Sequence, residues 1–131
     1  MSRFAEVIVL ARGAEEVMQP LTRPDKSREW HECFKRIDDG MFYGSRVPSK
    51  ECYTWIIQFM RHNWHGLLSH LESLPWPAPQ SVQVLVRDEE DSCFGLWMIY
   101  GGSLVEVTLP HTKREPYAAS ITGHLARTDD L

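Results

Sequence analysis

Four consecutive carboxylates, Asp88-Glu89-Glu90-Asp91, lie between two strongly apolar segments of the sequence. Such a run can ligate a hard cation, pair as acid and base, or present charge to a partner. Calcium requires several oxygens converging on one point, and "RDEEDSCFG" lacks the alternating acids, central glycine and closing glutamate of an EF-hand loop. Consecutive carboxylates on a hairpin splay apart. A solvated turn also gives no environment that separates two carboxyl pKa values for acid–base work. Two readings remain: a solvated turn that discourages edge-to-edge aggregation, and a docking tip for a cationic partner.

The histidines His62, His65 and His70 form a second set. On a helix, His62 and His65 share a face and could both reach one zinc ion. Two ligands do not complete a site, however, and "RHNWHGLLSH" contains no His-Glu-x-x-His pattern. Arg61 alongside repels a cation. Surface histidines and no metal are the expectation. Nucleophilic chemistry is no better supplied: there is no Gly-x-Ser-x-Gly elbow, and Ser103 follows a glycine pair in "YGGS". His31 and Cys33, two residues apart, would point to different sides of a helix. Neither phosphate-binding glycine pattern occurs, so nucleotide use has no support. These residue types at these spacings indicate a chain that is not an enzyme and takes no cofactor.

The elements that must hold these groups fit one domain over residues 1–131. With 43% apolar and 24% charged residues, the chain has the balance of a globular protein rather than a disordered one. The net charge is -4, and the densest basic patches are only Lys35-Arg36 and Lys113-Arg114. Backbone phosphate binding needs more clustered cations, so nucleic acid is not an expected partner. No apolar run approaches the roughly 18–20 residues that cross a bilayer. The N-terminal apolar run is too short and too charged for a signal peptide, which makes the cytoplasm the expected compartment. Cys33, Cys52 and Cys93, odd in number and without a Cys-x-x-Cys pair, fit a reducing compartment.

"FAEVIVLA" (4–11) reads as a strand buried on both faces. Pro20 and Pro24 limit the next segment to a short turn of helix and then loop. Ser27 can cap "REWHECFKRIDD", which sets Trp30, Phe34 and Ile37 at helical spacing before Gly40. From Ser49, the positions Cys52, Trp55, Ile56, Phe59 and Met60 follow the 3.6 period. Glu51, Thr54, Gln58 and Arg61 make the polar stripe, so a mostly buried central helix is predicted. The pattern resumes at Trp64, Leu67, Leu68, Leu71 and Leu74, with Gly66 as a break, and "PWPAPQ" stops it. "SVQVLVR", "CFGLWMIY" and "SLVEVTLP" then read as a three-stranded meander, turned at Asp88–Ser92 and at Gly101-Gly102. Residues 111–131 are polar and form a partly disordered tail. The expected fold is α+β: an antiparallel sheet of about four strands, packed by two or three helices.

Five tryptophans exceed what a core of this size requires. Trp55 and Trp97 fit the core. Trp76 lies between prolines, and Phe42-Tyr43 between glycines, so these either cap the core's edge or act as interface anchors.

The stretch "WIIQFMRHNWHGLLSHLESLPW" leading into "SVQVLVRDEEDSCFGLWMIYGG" resembles the small, acidic, tryptophan-rich α+β immunity proteins that bacteria hold against secreted polymorphic toxins. The resemblance implies a cytoplasmic inhibitor that covers a toxin's active cleft. Asp88, Glu89, Glu90, Asp91, Asp38 and Asp39 would meet a cationic toxin surface, with Trp76, Phe42 and Tyr43 as apolar anchors. The alternative is a small-molecule-binding or catalytic α+β domain, with a pocket between the sheet and the Cys52–Met60 helix lined by Tyr53, His62 and His65.

Overall fold

A computed structural model describes residues 4–28, 30, 32–37, 52–60 and 66–108. Among these, the chain forms a six-stranded antiparallel sheet with two short α-helices. Strand β1 is Phe4–Arg12, and helix α1 (Glu15–Met18) runs on into a 3₁₀ turn at Gln19–Thr22. Strands β2 (Lys35–Arg36) and β3 (Cys52–Met60) precede helix α2 (Leu67–Ser73). A 3₁₀ turn at Pro79–Ser81 leads into β4 (Gln83–Asp88), β5 (Gly95–Tyr100) and β6 (Ser103–Val107). The sheet order is β2-β3-β1-β4-β5-β6. The α+β class and the C-terminal meander match expectation, and the sheet has two strands more than predicted. No helix among the described residues is long and apolar enough to cross a membrane.

The N-terminal strand takes an interior place, with β3 on one side and β4 on the other. Its alternate residues Ala5, Val7, Val9 and Ala11 are buried, whereas Glu6, Ile8 and Leu10 are half-buried. It is therefore sealed on one face rather than on both.

The predicted central helix is instead β3. Six of its nine residues, Tyr53, Thr54, Trp55, Ile56, Ile57 and Phe59, are β-branched or aromatic, the types that suit a pleated surface. The polar pair that suggested a helix, Thr54 and Gln58, is four residues apart. An even separation shares a side of a strand as readily as a face of a helix. Pairing along the whole of β1 then decided the matter.

The expected helix from Ser27 is also absent among the described residues of that span. Arg28 is buried, and its guanidinium donates to the carbonyls of Pro20, Trp30 and Glu32 at 3.2, 3.2 and 3.0 Å. In a helix the Trp30 carbonyl would accept from the Phe34 N–H. That N–H instead donates to Leu21 O at 2.9 Å, and Ile37 N–H donates to Thr54 O at 3.1 Å. Ser27 caps nothing; its amide and hydroxyl both donate to Asp25 Oδ1.

Other local expectations held. α2 begins at Gly66, whose φ of 77° suits glycine, and it buries Leu67, Leu68 and Leu71. Gly101 and Gly102, with φ of 56° and 82°, turn β5 into β6 through a two-residue hairpin. The core lies on one side of the sheet. There Met18, Leu21, Trp30, Phe34, the α2 leucines and Trp76 close over Val7, Val9, Trp55, Ile57, Val84, Val86 and Trp97. Cys33 and Cys93 are reduced, and Cys33 Sγ accepts from Arg28 Nη2 at 3.4 Å.

Candidate functional site

The antiparallel register of β1 with β4 sets Ala5 opposite Asp88, and so brings the start of the chain to the acidic turn. There Glu89 N–H donates to Phe4 O at 3.0 Å. The four carboxylates split into two pairs of opposite role. Asp88 and Asp91 turn inward, at 0% and 2% exposure. Asp91 Oδ2 accepts from Asp88 N–H, and Asp88 Oδ1 accepts from Glu90 N–H, both at 3.1 Å. Asp91 N–H closes the turn on Asp88 O at 2.8 Å. These bonds fix the backbone and leave Glu89 and Glu90 projecting into solvent. The tip therefore presents two charges rather than four, on a backbone tied at each step.

Beside the tip runs a shallow groove of about 180 Å³, lined by Phe4, Ala5, Glu6, Gln58, Arg87 and Glu89. Glu6 lies between Gln58 on β3 and Arg87 on β4, and each of its oxygens has a partner: Gln58 Nε2 at 3.2 Å and Arg87 Nη1 at 3.3 Å. Phe4 stands at the rim, 54% exposed. An uncovered aromatic ring flanked by carboxylates is the make-up of an interface anchor.

The groove opens onto the sheet face opposite the core. The strand registers place Ile56, Ile8, Leu85, Leu96 and Val107 side by side in one row across five strands. A second row runs through Leu10, Gln83, Met98 and Val105. Of the four large apolar residues that stand exposed among the described residues, Phe4, Tyr100 and Val105 all belong to this face, the latter two at 57% and 43%. Apolar rows of this kind with exposed aromatic residues make this face the candidate docking surface.

No protein-family model, curated protein or solved structure matches this chain. The site therefore stands on its own geometry.

Trp76, one of the candidate anchors, is not available as one. It folds back under α2 at 7% exposure, and its Nε1–H donates to Leu71 O at 2.8 Å. The proline-flanked tryptophan caps the core's edge, the other of its two readings. Asp88 and Asp91 likewise brace the turn instead of facing a partner. Asp38, Asp39, Phe42, Tyr43, His62 and His65 lie outside the described residues. The pocket expected between the sheet and a Cys52–Met60 helix does not form, because that segment is itself the sheet. Phe4, Glu6, Arg87, Tyr100 and Val105 escaped the sequence reading. Only the strand register, which no single segment reveals, puts them on one face.

On the covered side, a cleft of about 510 Å³ separates α1 and its 3₁₀ turn from β2, over a floor that includes Trp55 and Phe34. Its rim is bridged by Arg36 Nη1 and Glu15 Oε2 at 3.2 Å, and the Arg36 guanidinium lies 4.3 Å over the Tyr53 ring. Nearby, the His70 ring meets Trp30 edge-on at 5.8 Å. Burial, with Arg28 as a lesser cause, lowers its pKa from 6.5. Asp25 is also held below its usual range, by the Ser27 hydroxyl and amide. Among the described residues, no three His, Cys, Asp or Glu side chains converge as a metal site.

Proposed function

We propose that this chain is a non-catalytic protein-binding domain of the immunity type, which neutralises a cognate toxin in the cytoplasm by docking on the open face of its sheet. The observation that carries this reading is the exposed Phe4 ring beside the braced Glu89-Glu90 tip, continuous with the apolar rows of that face. Braced carboxylates steer a basic surface into register, and the aromatic ring and aliphatic rows supply desolvated contact once it arrives. A turn held by its own aspartates gives up little conformational freedom on binding.

The test uses the toxin domain encoded beside the chain's gene. Co-production should protect cells, and the purified pair should bind with an association rate that falls steeply with salt. E89K together with E90K should slow association by about tenfold or more. Phe4→Ala should weaken affinity by about tenfold, equivalent to roughly 1.4 kcal/mol. If no protection is seen, or if the charge reversal leaves the association rate unchanged, the proposal is wrong.

A further inference from the structure

We infer that two copies of this chain pair face to face through the same open sheet face when no partner occupies it. The inference rests on that face being the docking surface, and it adds a regulation: self-association and toxin binding exclude one another.

Three observations select a second copy as the occupant. The first is charge. The chain is acidic overall, at -4, yet among the described residues the open face carries Arg12, Lys35 and Arg87 against Glu6. Glu89 and Glu90 at its corner bring the local balance to zero, since three cations meet three carboxylates. Two copies of an acidic protein meet with least repulsion on such a face.

The second is symmetry. Ile8 is the midpoint of β1, with Phe4 and the acidic tip at one end and Arg12 at the other. A two-fold axis along the row Ile56, Ile8, Leu85, Leu96 and Val107 lays that row on itself. The same rotation carries each Arg12 over the Phe4 and Glu89 end of the other copy. An isologous interface requires this kind of self-complementarity.

The third is area. The five strands hold 9, 9, 6, 6 and 5 residues. At about 3.3 Å per residue and about 4.8 Å between strands they give on the order of 550 Å² per copy. Twice that clears the roughly 1,000 Å² expected of a biological interface. Sheets packed face to face at about 10 Å interdigitate their side chains to fill such a contact.

Sedimentation velocity of the full chain alone tests this, and it needs no toxin. The mass should rise from monomer to dimer across roughly 1 to 100 µM. Val105→Glu should hold the chain monomeric over that range, with an unchanged circular dichroism spectrum. Val105 is already 43% exposed, so the variant is expected to fold. As a second variant, Arg12→Glu should raise the dimer dissociation constant by about tenfold or more, and restoring that loss with E89K together with E90K would support the two-fold arrangement. A wild-type chain that stays monomeric throughout would overturn the inference, as would a dimer indifferent to both substitutions. None of these results depends on toxin protection, so the two proposals fail separately.

Discussion

The two faces of the sheet share strands, register and an aliphatic character, yet among the described residues only one is covered by helices. The covered face of β1 is built from Ala5, Val7, Val9 and Ala11, small residues that leave room for large partners. Trp55 and Trp97 stand on neighbouring strands, and Met18, Leu71 and Trp76 descend from above. The open face reverses this choice. Its aliphatics are the longer Ile8, Leu10, Leu85, Leu96 and Met98, interrupted by Glu6, Thr54, Gln58, Gln83 and Arg87. Small residues next to tryptophans make a face that helices can close to crystal-like density. Long aliphatics mixed with paired polar groups make one that tolerates water and, on the proposed reading, accepts a partner. Hydrophobicity alone does not distinguish the covered face from the open one, whereas side-chain size and polar admixture do.

Adjacent residues on β5 give the most forceful test of that contrast. Trp97 lies on the covered face at 3% exposure, and Met98 is half-buried on the open one. Trp97→Ala should cost about 3–5 kcal/mol, because it removes a large side chain and leaves a cavity. Met98→Ala should cost about 1 kcal/mol or less, since water already reaches its site. Urea unfolding midpoints at constant m-value measure both. Equal losses would show that the open face is as tightly packed as the core, and the comparison between them would collapse.

The acidic turn carries the same contrast in four residues. Asp91→Ala removes the carboxylate that accepts from the buried Asp88 N–H, at a cost of about 1–3 kcal/mol. Glu90→Ala removes only an exposed side chain, so stability should stay within about 0.5 kcal/mol of wild type. On the proposed docking mode binding should respond in the reverse order, because Glu90 projects into solvent and Asp91 faces the turn. Thermal unfolding together with toxin association rates separates the two roles.

How far the fold could be read from sequence depends on where competing periods differ. "SVQVLVR" alternates cleanly, and Gly101-Gly102 demands positive φ, so the meander was legible. α2 was legible too, because Leu67, Leu68 and Leu71 fit a helix and no strand. β3 was not. Nearly every position from Cys52 to Met60 is apolar, and the polar residues Thr54 and Gln58 sit at a spacing that both periods allow. The Ser27 span failed for another reason. Its carbonyls are claimed locally by the guanidinium of Arg28, and its Phe34 and Ile37 N–H groups by Leu21 O and Thr54 O, tertiary bonds that local propensity does not contain. Of the candidate site, the acidic tip was visible as composition. The inward turn of Asp88 and Asp91 and the company of Phe4 required the β1–β4 register. Trp76 misled because its proline flanks rule out a helix without ruling out a fold back onto Leu71.

The smallest expected effect concerns charge on the covered side. His70 on α2 meets Trp30 edge-on, and burial followed by the nearby Arg28 lowers its pKa below 6.5, against a smaller opposing pull from Asp25. The unfolded chain therefore binds a proton at a higher pH than the folded one. Stability from this group is fully present above about pH 6.5, is lost as pH falls through the folded pKa, and then levels off. His70→Gln removes the titration but not the neutral polar character. Unfolding free energies of wild type and variant, compared from about pH 7.5 down to pH 5, should diverge in slope, with the wild type declining faster. Staying above pH 5 keeps Asp25 ionised in both chains, because its folded pKa lies below 3.8 and its own contribution is lost only in stronger acid. Parallel slopes would mean that the covered side accommodates an imidazolium. Burial against Trp30 would then carry no penalty for a charge at that position.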